Sequence, residues 1–267
     1  MFLLRLNGVA AMLGCMTDDH NESDQDSLLG LRIGTAQRGG TREVCCDALA
    51  VYRFPVADLV ATCVVDGIGS SAQIAGVMGT AAEVAARIGA RRGVYAGLAA
   101  AGELVSRPSM KGRHFVGPDD ADGAAVLALV RPGDITSVSW LGDCRAWGWD
   151  GSALTQWTTD QVMGQWVRIH GGVPVEVAEH HDDWLRTSLA TASAATIRQV
   201  EIPAGVMVVL TSDGIHKPLP AKEIEDLVRT YADDPQALAD ALAVAPQPDD
   251  SGYRDDATAV VVAAAAA

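Results

Sequence analysis

The sequence predicts an α+β fold: a central antiparallel β-sandwich with α-helices packed outside it. Three observations carry this expectation. The patterns run as strands, two long helices, many strands, two helices and a last strand, which is not the regular alternation of a doubly wound sheet. The apolar fraction is 49%, enough for a large core, and 27 glycines supply tight turns between short elements. Several short runs are apolar almost throughout, as strands covered on both faces are.

Met1 to Met16 is apolar, but Arg5 and Asn7 interrupt it and it lacks the basic start of an export signal, although Leu13-Gly14-Cys15 loosely resembles a lipoprotein cleavage site. Asp18–Asp26 (DDHNESDQD) is acidic and without apolar periodicity, so it reads as a solvated linker. Residues 1–30 are therefore expected to be a flexible tail and 31–267 a single folded domain.

Leu31–Ala36 and Ala48–Phe54 read as strands, and Leu59–Val65 is a buried strand that ends abruptly in Asp66-Gly67. Ala72–Arg92 places apolar residues at helical spacing, and Tyr95–Val105 continues as a second helix after Gly93. Gly112–Asp122 reads as a loop. Ala124–Val130, Ile135–Leu141 and Arg145–Trp149, separated by Pro132-Gly133 and Gly142-Asp143, read as a meander. Gln161–Trp184 is irregular, with Gly171-Gly172, Pro174 and a His180-His181-Asp182-Asp183 cluster. Val206–Leu210 is another buried strand, ending in Thr211-Ser212-Asp213-Gly214. Helices follow at Ala221–Tyr231 and Pro235–Ala243, and Ala257–Val262 is a last strand preceded by Asp255-Asp256.

The formal net charge of −14 sets the chain against a phosphate backbone, so general nucleic-acid binding is not expected. Five cysteines with no C-x-x-C pair argue against a disulfide framework and a zinc-thiolate site; they read as reduced packing residues of a cytoplasmic protein. No later segment reaches the roughly 18 continuous apolar residues that a membrane span needs.

Three times an apolar strand runs into, or starts just after, an aspartate beside Gly or a second Asp: Asp66-Gly67, Asp213-Gly214 and Asp255-Asp256. The Gly142-Asp143 turn adds a fourth. Carboxylates at strand ends are held rigidly yet face solvent, and several together repel one another unless a cation lies between them. Oxygen-only ligands of this kind select hard ions such as Mg²⁺ or Mn²⁺ over zinc.

The series resembles the metal-dependent serine/threonine phosphatases of the PPM, or type 2C, class over most of residues 31–264. Arg42 lies five residues before Asp47-Ala48, as in that family's R-x-x-N-E-D-A segment. Val64-Val65-Asp66-Gly67-Ile68-Gly69 is similar to V-x-D-G-x-G, and Gly142-Asp143-Cys144-Arg145-Ala146-Trp147 to G-D-S-R-x-Y. Thr159-Asp160-Gln161 stands at T-x-D-H, Leu210-Thr211-Ser212-Asp213-Gly214-Ile215 at L-x-S-D-G-L, and Asp255-Asp256-Ala257-Thr258 at D-N-A-T.

The resemblance implies a four-layer α-β-β-α fold and hydrolysis of phosphoserine or phosphothreonine on proteins by a water activated at a binuclear Mn²⁺ or Mg²⁺ centre. It implies that Asp66 bridges both ions with the Gly67 carbonyl assisting, and that Asp213 and Asp255 complete the second. Asp143 matches the ligand of a looser third ion, Asp47 would orient the nucleophilic water, and Arg42 would grip the phosphate. The implied partners are a phosphorylated protein and an opposing serine/threonine kinase, and a monomer is expected. Gln161–Trp184 would form a flap beside the site.

The chain also departs from the family pattern. Cys45 and Cys46 stand where Asn and Glu are usual, Asp256 where Asn is, and Gln161 where His is. Gln cannot donate a proton to a leaving group at neutral pH. Cys46 and Gln161 therefore favour an alternative, a degenerate pseudophosphatase that binds a phosphoprotein or kinase without turnover. The His180–Asp183 cluster lacks metal-ligand spacing and reads as a solvated loop. His170 reads as a helix C-terminal residue, and the tryptophans read as packing.

Overall fold

A computed structural model describes residues 30–105, 121–172 and 174–264. The expected tail and acidic linker, and all but the end of the Gly112–Asp122 loop, lie outside the described residues. Among the described residues, ten strands form two five-stranded antiparallel sheets. One sheet orders β1 (Leu31–Arg38), β10 (Ala257–Ala264), β9 (Met207–Thr211), β6 (Arg145–Trp149) and β7 (Leu154–Gln156) side by side. The other orders β2 (Ala48–Phe54), β3 (Leu59–Gly67), β4 (Gly123–Val130), β5 (Thr136–Leu141) and β8 (Arg198–Ile202).

Strand periodicity explains the layering. In β3, Leu59, Ala61, Cys63 and Val65 turn to the helices α1 (Ala72–Arg92) and α2 (Val94–Val105), while Val60 and Val64 turn to the facing sheet. Both faces are covered, so β3 is apolar throughout rather than alternating. Between the sheets Val126 and Val138 meet Ala146, Val208, Leu210, Val260 and Val262. On the far side of the first sheet, Ile224 and Val228 of α6 (Ala221–Tyr231) and Leu238 and Leu242 of α7 (Pro235–Val244) cover Val209, Val261 and Trp147. The result is the expected four layers.

Helix starts follow ordinary chemistry. Ser71 caps α1 through a hydrogen bond from the Ile74 N–H, and Asp234 caps α7 by accepting from Gln236 and Ala237. The buried stripe of α1 runs from Ile74 and Met78 through Ala81, Ala82, Ala85 and Ala86 to Gly89 and Ala90, and the small residues let it pack close to β3 and α2.

Two parts of the sequence reading need correction. β4 and β5 pair as a hairpin, but β6 does not continue the meander; it crosses to the other sheet and pairs with β9 and β7. Gln161–Trp184 is not irregular, since it contains α3 (Met163–His170) and α4 (Val175–Glu179). Strands β7 and β8 were not expected; both are short, half-exposed edge strands whose polar residues carry little apolar pattern.

Candidate metal centre

The four aspartates of the motif series reach one end of the sandwich on four separate segments. Asp66 lies at the end of β3, and the register Ala48↔Val65 sets Asp47, just before β2, beside it. Asp143 sits in the turn that crosses from β5 to β6, where Gly142 adopts φ +78°, a conformation that favours glycine. Asp213 opens the single-turn helix α5 (Asp213–His216) directly after β9. Asp255 immediately precedes Asp256 and β10. The bend from β9 into α5 requires Gly214, because a Cβ there would lie 1.9 Å from the Asp256 carbonyl oxygen.

Asp66, Gly67, Asp143, Asp213, Asp255 and Arg42 line one cavity of about 730 Å³, together with Lys217 and Tyr253. Asp47 does not line it; only 6% exposed, it lies beneath. Its Oδ2 accepts a 2.7 Å hydrogen bond from the Thr258 hydroxyl, while Oδ1 is buried without a hydrogen-bond partner among the described residues. Burial pushes the Asp47 carboxyl up to about 7; the nearby Ser212 hydroxyl and then the Thr258 bond oppose this, and the charges on Asp213 and Asp256 add to it.

The other carboxyls respond to the same crowding. Burial, then Asp213 and Asp47, raises Asp66 well above the usual carboxylate range. Asp66 and Asp213 stand close enough for each carboxyl to shift the other's proton affinity. Burial works upward on Asp213 too, but the Lys217 ammonium and the neighbouring Asp66 carboxyl hold it below its ordinary value. Asp143 is raised to about 6 by burial and then by Asp213, with Lys217 opposing. Asp255 is raised by burial and by Asp213, and lowered by Arg42.

Two protein cations sit among these acids. The Arg42 guanidinium pairs with Asp255, and with Asp256 Oδ2 at 3.2 Å. Lys217 Nζ lies within 3.2 Å of Asp143, Asp183 and Asp213. Among the described residues no three ligating side chains stand together as a preformed metal cluster, and the carboxylates of Asp255, Asp143 and Asp213 are each paired with one of these two cations. The donor chemistry fits a hard divalent cation: the donors that line the cavity are all oxygens, Asp66 and Asp213 crowd one another's charge, and a buried Asp47 oxygen lacks a partner among the described residues.

Some residues do other work than their motifs imply. Gln161 is buried away from the cavity: its side-chain oxygen accepts from the Gly142 N–H at 3.1 Å and from Thr187, and its amide donates to the Thr196 carbonyl. It clamps the crossover turn that presents Asp143. Asp256 is also turned inward, 1% exposed, accepting from the N–H groups of Gly40 (2.7 Å) and Cys46 (3.0 Å). It anchors the loop that carries Arg42 rather than adding charge to the cavity. The thiol of Cys46 is buried and packs with Val65 and Met78.

Sequence reasoning missed Lys217. Its signal was a lone lysine four residues after Asp213, one turn along the chain. His216 is buried, with Nδ1 at 2.8 Å from Thr211 Oγ1. In the His180–Asp183 cluster the His180 and His181 rings bond backbone carbonyls through Nδ1, Asp182 pairs with Arg168, and Asp183 with Lys217. His170 ends α3, as expected. Among the described residues no helix is long and apolar enough to cross a membrane.

No family model and no curated protein matches the chain. Solved structures do. The serine/threonine phosphatase PstP/Ppp of Mycobacterium tuberculosis superposes with a TM-score of 0.63 at 21% identity, covering 87% of this chain and 98% of that one. The PstP catalytic domain in complex with two manganese ions gives 0.59 at 22% identity, with 87% and 97% covered. The PPM Ser-Thr phosphatase MsPP of Mycobacterium smegmatis, in complex with cacodylate, gives 0.63 at 21%, with 87% and 97% covered. The chain thus has the fold of these phosphatases across nearly their whole length.

Proposed function

We propose that this chain, which shares the α-β-β-α fold of the bacterial PPM phosphatases, is a member of that class that hydrolyses phosphoserine and phosphothreonine on proteins with divalent-cation help. The observation that carries the reading is the convergence of Asp66, Asp143, Asp213 and Asp255 with Arg42 on one cavity, above a buried Asp47 with an unpartnered oxygen. The manganese ions of the PstP complex support Mn²⁺ or Mg²⁺ as the cofactor.

Asp66, the Gly67 carbonyl, Asp213 and Asp255 are the residues that would hold two ions, with Asp143 at the position of a looser third and already paired with Lys217. Bound there, such ions neutralise phosphoryl oxygens and bring the pKa of water toward neutrality. Asp47, once ionised, accepts a hydrogen bond from the attacking water and orients it. Arg42 offers a planar fork to the phosphoryl group, for which the substrate must compete with Asp255. Gln161, fixed on the crossover turn, donates no proton to the leaving alcohol, so that proton comes from solvent. The partners that follow are a phosphorylated protein and an opposing serine/threonine kinase; a cytoplasmic monomer is the form proposed.

A second reading, a phosphoprotein-binding module without turnover, is favoured by the engagement of Arg42 with Asp255 and Asp256. Hydrolysis of p-nitrophenyl phosphate and of a phosphothreonine peptide, with and without Mn²⁺, separates the two. Turnover that needs Mn²⁺ and disappears in Asp213→Ala supports the enzyme. A folded protein inert in saturating Mn²⁺ refutes it.

A further inference from the structure

The Lys217 ammonium makes three short contacts, each to a different carboxylate: 2.8 Å to Asp213 Oδ2, 2.9 Å to Asp183 Oδ1 and 3.2 Å to Asp143 Oδ2. The ammonium is thus in ion-pair contact with three carboxylates at once. The surroundings differ sharply. Asp143 and Asp213 have side chains 4% and 15% exposed, whereas Asp183 is 83% exposed on the segment that follows α4. Lys217 is tethered at the end of α5, where its N–H bonds back to the Asp213 carbonyl at 2.9 Å, so its stem is fixed one turn from the aspartate it neutralises. The side chain lines the main cavity and also a smaller neighbouring one that Arg145, Asp160 and Asp182 help to form.

We infer that Lys217 is a tethered cation that takes the place of a metal ion between Asp143 and Asp213, leaving Asp143 outside the set of working metal ligands. This rests on the metal-dependent reading above and refines its ion count. Two buried carboxylates in contact with one ammonium already have a counterion, and an ion entering between them must expel it. A strongly hydrated Lys point charge satisfies the acids without the geometry that Mg²⁺ or Mn²⁺ demands. Ions therefore load on the Asp66, Asp213 and Asp255 side of the cavity, and the Asp143 side is closed by the protein itself. Because the same ammonium holds Asp183, removing it also frees the segment after α4 from the cavity wall.

The test is Mn²⁺ uptake by equilibrium dialysis with elemental analysis, together with calorimetric titration, on the wild type, Lys217→Met and Asp143→Asn. Lys217→Met keeps the stem and removes the charge. It is expected to bind one ion more than the wild type, or to bind the weakest ion at least tenfold more tightly, and adding Asp143→Asn should cancel that gain. Asp143→Asn alone, which does not depend on the lysine variant folding, should leave the wild-type ion count unchanged. Equal uptake by wild type and Lys217→Met, or loss of an ion on Asp143→Asn alone, overturns the inference while leaving the phosphatase reading intact. No Mn²⁺ uptake by any of these proteins overturns both.

Discussion

The Thr258 hydroxyl donates to Asp47 Oδ2 at 2.7 Å, and both residues are buried although 211 positions separate them. The Thr258 N–H bonds Ser212 Oγ at 2.9 Å, so one residue of β10 holds both the aspartate beneath the cavity and the turn that presents Asp213.

Thr258→Val keeps the side-chain shape and removes the hydroxyl. Hydrogen bonds to charged groups contribute roughly 1.5–3 kcal/mol, so the variant should lose about tenfold or more in kcat at pH 7 with Mn²⁺ present. The Thr258 bond favours the ionised form of Asp47, so losing it raises the carboxyl's pKa. The deficit should therefore shrink as the pH is brought to 9, where Asp47 ionises in both proteins. A pH profile of kcat for the two proteins checks this; a deficit of equal size at every pH would mean that Thr258 acts on something other than the protonation of Asp47.

The metal-free protein should lose stability as the pH rises. Asp47 at about 7, Asp143 at about 6 and Asp66, also raised, hold protons in the folded state that the unfolded chain releases near pH 4. Between about pH 4 and 7 the folded state binds more protons, so its stability falls with pH across that window. Asp213 has the opposite sign but acts only near and below its ordinary value. Each tenfold change in proton affinity is worth about 1.4 kcal/mol, and with mutual screening a net loss on the order of 3 kcal/mol is expected, or roughly 5–10 °C in Tm. Melts in EDTA at pH 5.5 and 8.0 measure it. Mn²⁺ competes with the protons on these carboxyls, so its stabilising effect should be larger at pH 8.0.

Much of this arrangement was legible in the sequence. Buried strands such as Leu59–Gly67 announce themselves by unbroken apolar character, and the aspartates that end them stand where side chains leave the core. Ala72–Arg92 was readable because a stripe of alanine at helical spacing has few other uses. What could not be read were partners decided by long-range geometry. Nothing local indicates that the turn after β5 changes sheets, or that Gln161 clamps it. Asp256 has an apparent place in the cavity by motif, yet the loop from Gly40 to Cys46 captures its carboxylate. A salt bridge such as Lys217 with Asp183 links elements whose approach only the folded chain defines.

Asp256 is expected to matter more for stability than for chemistry. Its carboxylate is the acceptor for the N–H groups of Gly40 and Cys46 and for Arg42. Asp256→Ala leaves those donors unpaired at a cost of about 1–3 kcal/mol for each buried one, and a Tm fall of roughly 5–10 °C is expected. Asp256→Asn keeps one acceptor and should cost less than half as much. Because the loop also positions Arg42, the alanine variant should raise KM for a phosphopeptide more than it lowers kcat. Thermal melts with steady-state kinetics distinguish this from a role as metal ligand, which would weaken Mn²⁺ binding in both variants.

Gly214 is the tightest point in the site. A Cβ there would stand 1.9 Å from the Asp256 carbonyl oxygen and 3.3 Å from the Asp255 Cβ, so alanine forces the backbone of α5 away from β10. That movement carries Asp213 with it, away from Asp66 and Asp255. Displacement of a positioned group by about 1 Å can cost on the order of 100-fold in rate. Gly214→Ala should therefore lose at least that much Mn²⁺-dependent turnover, with weaker Mn²⁺ binding by calorimetry. Gly76 in α1 supplies the contrast: nothing lies within 4 Å of a Cβ built there, and its residue is helical. Gly76→Ala should stabilise the fold by about 0.5–1 kcal/mol and leave both readouts unchanged. If Gly214→Ala binds Mn²⁺ and turns over as the wild type does, the close packing of α5 against Asp256 is not what holds Asp213 in place.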